Sequence, residues 1–229
     1  MTIPFMAILC LEPRQKGMVI TMESYFVPFA DAESEFEEKR SRFISHLYRV
    51  ETEEEARGRI EAIKKKYYDA RHNCWCYVLH DGTVRYGDDG EPQGTAGQPM
   101  LNVLQREGME NAVCIVTRYF GGILLGAGGL TRAYAKAAKD ALDEAGKARM
   151  QPFAVLKIDC PYPLHERVLR IIDAHSGSVE KTDFAASAVL TVLLPQEKAD
   201  TFSAALTELS GGTLAAEEIE KRFLPGQRE

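Results

Sequence analysis

No stretch of the 229-residue chain is eighteen apolar residues long, so none can cross a bilayer as a helix. Cysteine is scarce, odd in number and scattered, at Cys10, Cys74, Cys76, Cys114 and Cys160. Such a set builds no disulfide framework, and a reducing, cytoplasmic compartment is expected. Positive charge is not in excess either: 28 Lys and Arg stand against 34 Asp and Glu, for a formal net charge of −6. That excludes a protein that coats nucleic acid through its overall field. Any polyanion contact must come from a local patch. No Ser/His/Asp triad or Cys–His pair is legible from spacing, because such groups meet in the fold and not along the chain. No catalytic residue, cofactor or metal is assigned.

The glycines are concentrated. Gly121, Gly122, Gly126, Gly128 and Gly129 fall within nine residues, after the apolar β-branched run Ala112–Phe120 and before Leu130, Ala133, Tyr134, Ala137, Ala138, Ala141, Leu142 and Ala145 at helical spacing. The apolar run reads as a buried strand. The periodic segment reads as a helix that Gly146 stops. Strand, glycine loop and helix start together aim free N–H groups and a positive helix end at an anion. Arg118 and Arg132 bracket the loop, and Thr131 follows it. A phosphate-binding P-loop would end in Gly-Lys-Ser/Thr, and a dinucleotide fingerprint would need a glycine where Thr131 stands; both are missing. The bland alternative is a tight turn whose glycines let an Ala-rich helix pack close to a sheet.

Elsewhere the pattern predicts a short edge strand at 25–29 and a strand at 43–50. Thr52 and Glu55 form a capping box for a helix ending in Lys64-Lys65-Lys66, where the lysines suit the helix dipole. A strand at 71–80 turns at Asp81-Gly82 into a partner at 84–86. His72, Cys74 and Cys76 share one strand face. Same-face positions are about 6.6–6.8 Å apart, too far for three of them to share one ion with bonds of about 2.0–2.3 Å. Asp88, Asp89 and Glu91 crowd the next loop, where they could hold Mg²⁺, form a solvated turn, or orient Arg118 or Arg85. A helix opening near Pro99 and closing at Gly108 follows. Residues 146–152 read as a boundary, and what comes after reads βαββαβ, the order of a ferredoxin-like split βαβ domain. The expected division is 1–17, 18–148 and 149–229. The first segment is expected to be an extension, disordered or upstream of a true start at Met18 or Met22. The apolar Ile3–Leu11 stretch has no basic segment before it, which argues against a secretory signal.

Two blocks, Arg85-Tyr86-Gly87-Asp88-Asp89-Gly90-Glu91-Pro92-Gln93-Gly94-Thr95-Ala96-Gly97-Gln98-Pro99 and Val116–Tyr134 around the glycine loop, together with Arg71-His72-Asn73-Cys74, closely resemble the signature of the IMPACT/YigZ family. The sequence departs from that signature at Gly87, Gln98 and Ile123-Leu124. The resemblance implies an α+β protein: a first domain like domain two of a small-subunit ribosomal protein, then a ferredoxin-like domain similar to domain V of elongation factor G. It also implies a role in translation regulation, with RNA or the ribosome as partner; a non-enzymatic binding protein without a membrane span is the expected reading. The residues expected to meet RNA, phosphate or a nucleotide are Arg71, His72, Arg85, Arg118, Gly121, Gly122, Gly126, Gly128, Gly129, Thr131 and Arg132, with Asp88, Asp89 and Glu91 as an acidic site beside them. An enzyme acting on a phosphorylated small molecule with Mg²⁺, and a protein–protein adaptor, are the alternatives.

Overall fold

The computed structural model describes residues 25–229. The expected extension at 1–17, with Met18 and Met22, lies outside the described residues. The chain runs β1 (Phe26–Pro28), β2 (Ala32–Glu38), β3 (Ser41–Arg49), α1 (Glu53–Lys66), β4 (His72–Val78), β5 (Val84–Gly87), α2 (Gly97–Arg106), β6 (Ala112–Tyr119) and α3 (Ala127–Ala145). It continues through β7 (Lys147–Cys160), α4 (His165–Ala174), β8 (Ser178–Phe184), β9 (Ala188–Pro195), α5 (Ala199–Ser210) and β10 (Ala216–Arg228). This is the mixed α+β architecture expected.

The first sheet has the order β2-β3-β6-β4-β5, and each neighbouring pair is antiparallel. Alternation along its strands sorts the side chains into two cores. Phe43, Leu47, Cys74, Cys76, Cys114 and Val116 pack under the small residues of α3 and against α2. Tyr77, Leu79, Val113 and Ile115 pack under Ala56, Ile60 and Ile63 of α1. Helix α1 is capped by Thr52, whose Oγ1 accepts the Glu55 N–H at 3.2 Å. The Glu55 carboxylate returns to the N–H of Glu51, one residue earlier than an ideal capping box.

Strand β2 was not expected from its sequence, Ala-Glu-Ser-Glu-Phe-Glu-Glu. Its glutamates lie along an edge, where charge protects against sheet-to-sheet association. It turns into β3 through Lys39 and Arg40, both in the left-handed region at φ 47° and 64°.

The second sheet has the order β10-β7-β9-β8, with β1 added beside β7. Helices α4 and α5 cover it through Val168, Ile172, Phe202 and Leu206, as a ferredoxin-like order requires. One reading is revised here. Residues 146–152 are no irregular boundary, because β7 starts at Lys147 and continues to Cys160. Pro152 is tolerated because β1 partners residues 147–149 and β9 partners residues from 153 onward; Pro152 sits between the two, where a missing N–H costs no ladder bond. Strand β1 is therefore an edge partner of the second sheet and not of the first. Among the described residues no helix is long and apolar enough to cross a membrane.

Candidate functional site

The end of β6 carries Arg118 on the α2/α3 face. Register places it between Phe43 of β3 and His72 of β4. Glu91, from the β5–α2 loop, closes over it with Oε1 2.6 Å from an Arg118 Nη. The two side chains are 5% and 3% exposed. Tyr134 of α3 donates its hydroxyl to the same Glu91 oxygen at 2.8 Å, and the Cys74 thiol donates to the Tyr134 hydroxyl. Burial first, then the nearby Cys74 and Glu91, push the Tyr134 phenol well above its ordinary range. Burial raises the Cys74 thiol too. Both groups are therefore held in their protonated, hydrogen-bond-donating forms. The other Arg118 Nη donates to Ser41 Oγ at 3.3 Å, and Ser41 Oγ also accepts the Gly121 N–H at 3.2 Å. The Arg118 Nε is buried with no partner among the described residues.

The acidic loop is committed in the same manner. Asp88 accepts the N–H groups of Ala96 and Gly97 on one oxygen and of Gly94 on the other, so it caps α2 from within its own loop. Asp89 accepts the Asn73 N–H at 2.7 Å and faces Lys64 at 3.4 Å. The three carboxylates do not converge. Among the described residues no group of three or more His, Cys, Asp or Glu side chains is placed to hold an ion. His72 Nδ1 lies 2.9 Å from the Asp89 carbonyl; a carbonyl only accepts, so that nitrogen carries the proton. Its Nε2 then faces Glu91 at 3.8 Å.

Over this network opens a cleft of about 440 Å³. It is lined by Arg71, His72, Phe120, Leu124, Gly126 and Ala127, with Arg118 and Glu91 beneath. The Arg71 guanidinium stands 5.8 Å from the Phe120 ring centre. Helix α3 starts here. No side chain caps it, and the first intrahelical backbone bond at this end runs from the Leu130 N–H to Gly126. The amides of Ala127, Gly128 and Gly129 are therefore left to solvent or a ligand. Gly122 and Gly126 adopt positive φ. Gly121 is required for a different reason: a Cβ there would lie 2.0 Å from the Arg40 carbonyl group. The loop is thus pressed against the β2–β3 turn.

The structure does not gather every expected residue. Arg71, His72, Arg118 and Gly126 meet at the cleft, but the Arg118 charge is already paired. Gly129 and Arg132 line a separate groove of about 160 Å³ with Phe36, Lys39, Leu125 and Lys136. Thr131 is exposed beside them. Arg85 lies on the opposite face of the sheet, because it pairs with Tyr77 on the α1 side. Tyr134, Ser41 and Phe120 were missed. A lone tyrosine hydroxyl on a face of alanines was the only signal for the first, and Ser41 and Phe120 gave none.

A family model described as the Impact N-terminal domain matches residues 39–142, and a domain of unknown function, DUF1949, matches 158–213. The chain is 35% identical to IMPACT family member YvyE of Bacillus subtilis, over 89% of this chain and 94% of that one. It is 36% identical to IMPACT family member YigZ of Escherichia coli, over 87% of this chain and all of that one. A Protein IMPACT homolog of Dictyostelium discoideum matches 39% of this chain at 39% identity. A crystal structure of a hypothetical protein, 35% identical, superposes with a TM-score of 0.55 over 87% of this chain and 98% of its own.

Proposed function

Because the chain belongs to the IMPACT family, we propose that it is a non-enzymatic, cytoplasmic protein that acts in translation by holding RNA, on or off the ribosome, in the cleft at the start of α3. The uncapped amides of Ala127, Gly128 and Gly129 carry this reading. They offer donors and the positive end of a nineteen-residue helix to a phosphate. Arg71 adds a guanidinium with no ion-pair partner among the described residues, and Phe120 adds a partly exposed ring on which a base can stack. The Arg118–Glu91 pair serves as the cleft's floor and leaves it without net charge of its own. Single-stranded RNA suits this better than a duplex, because a stacked base must be unpaired.

A protein partner is the second reading, favoured by Leu124 and Ile123, which are 81% and 41% exposed beside the cleft. The Mg²⁺-dependent enzyme loses support because Asp88 and Asp89 hold backbone amides and Glu91 holds Arg118 and Tyr134.

Ribosome and RNA co-sedimentation at two salt concentrations tests the proposal with two variants. Arg71→Ala is expected to lower the salt slope by about one. Gly128→Glu places a carboxylate in the first turn, where it stabilises the helix by roughly 0.3–1 kcal/mol while competing for the amides. That variant is expected to melt higher and retain less RNA. Retention unchanged in both variants overturns the proposal.

A further inference from the structure

Arg85 belongs to the sequence motif yet lies across the sheet from the cleft. Its own surroundings form a second site. On the α1 side, β4 presents Trp75 and Tyr77, and β5 presents Gly87 and Arg85 directly opposite them. The two aromatic rings are nearly parallel, with centres 5.7 Å apart and an interplanar angle of 11°. The indole rests against β5 because position 87 has no side chain; a Cβ there would lie 2.7–2.9 Å from the ring. Along it runs a cleft of about 430 Å³ lined by Arg57, Ile60, Glu61, Lys64, Trp75, Tyr77 and Arg85, a size in the range of small-molecule sites. Tyr77 is fixed from beneath, its hydroxyl donating to Glu53 at 2.9 Å. Arg57 is held by the same Glu53, and Lys64 by Asp89. Among the described residues the Arg85 guanidinium donates only to the Val84 carbonyl.

We propose that this cleft is a second ligand site that takes a nucleobase bearing a phosphate. The base lies along the Trp75 indole, and the phosphate meets Arg85, with Arg57 and Lys64 behind it. Stacking on an aromatic ring and charge-assisted bonds from a guanidinium are the two contacts such a ligand needs. Glu61 supplies an acceptor for an exocyclic amino group, which favours adenine, cytosine or guanine over uracil. The ligand is either a free mononucleotide or the phosphorylated end of an RNA; both present the same chemistry.

Trp75 is the chain's single tryptophan, so its emission reports on this cleft alone. The full chain is titrated with AMP, UMP, adenosine, inorganic phosphate and a 5′-phosphorylated single-stranded RNA hexamer, with calorimetry in parallel. The expected result is saturable quenching by AMP or by the hexamer, at least tenfold weaker binding of adenosine and phosphate, and UMP weaker than AMP. Saturation by the hexamer alone identifies an RNA end as the ligand; saturation by AMP identifies a free nucleotide. Arg85→Gln, at an exposed position, is expected to weaken binding about tenfold without moving the melting temperature. Arg71→Ala is expected to leave the titration unchanged, which separates this site from the cleft at α3. No saturable change with either AMP or the hexamer overturns the proposal, and so does equal binding by the Arg85→Gln variant.

Discussion

The two sheets bury different things. Every buried polar or charged side chain among the described residues (Ser41, Ser45, His46, Asn73, Glu91, Thr95, Asn111, Thr117 and Arg118) belongs to the first sheet or its connections. The core of the second is built from Leu156, Ile158, Val168, Leu190, Val192, Phe202 and similar residues. Apolar packing is the cheaper route to stability, since burying ions costs free energy that pairing only partly returns. The second sheet takes that route. The first departs from it where β6 ends beneath the α3 cleft. A buried ion pair is weak evidence for stability, and its position here is better explained by the surface it shapes.

The largest expected effect breaks that contrast directly. Arg118→Ala strands a buried Glu91 and should cost about 3–5 kcal/mol by chemical denaturation. Replacing both partners with apolar residues, Arg118→Met with Glu91→Leu, should cost clearly less. Equal losses would mean that the pair is not what makes this region sensitive. Leu190→Ala is the matching cut in the other core, expected to cost roughly 2–5 kcal/mol through lost burial and the cavity left, with RNA retention unchanged. Gly121→Ala drives a methyl group into the Arg40 carbonyl and should cost about 1–3 kcal/mol, lowering RNA retention as the loop shifts.

The smallest effect is one of pH. His46 is buried on β3, and burial depresses its imidazole below the ordinary 6.5, outweighing Glu33 at 3.1 Å, with Lys66 opposing protonation as well. Tyr48 and Tyr67 pack around the ring. The unfolded chain therefore takes the proton first. Stability should be full above about pH 6.5 and fall as the pH drops from there toward the folded-state value, at no more than about 1.4 kcal/mol per pH unit. His46→Gln should flatten that acid limb in melts recorded between pH 5 and 7; an unaltered slope would assign it to other groups.

Much of this architecture was legible in the chain. The spacing of the alanines in α3, the Thr52 cap and the βαββαβ order each follow from local chemistry. Strand β2 was hidden because its glutamates obscure the alternation of Ala32, Ser34 and Phe36 toward the core. Pro152 and Gly146 looked like a break because nothing local announces two different neighbours meeting along one side of β7. The site was harder to read. Arg118 sits in sequence like a loop-flanking cation, and its burial depends on Glu91, twenty-seven residues away. The side of the sheet that Arg85 takes depends on the β4–β5 register, which no single strand reveals.

Strand β1 is only three residues long, yet it bonds to Lys147–Arg149 on one side and, through Phe26, to Gly108 and Glu110 of the α2–β6 connection on the other. It works as a rivet through both halves. During synthesis those three residues meet the α2–β6 connection first, and β7 only after well over half of the chain has been made. Once they lock in, a strand of the second sheet also closes the α2–β6 connection of the first, so unfastening either half exposes backbone of both.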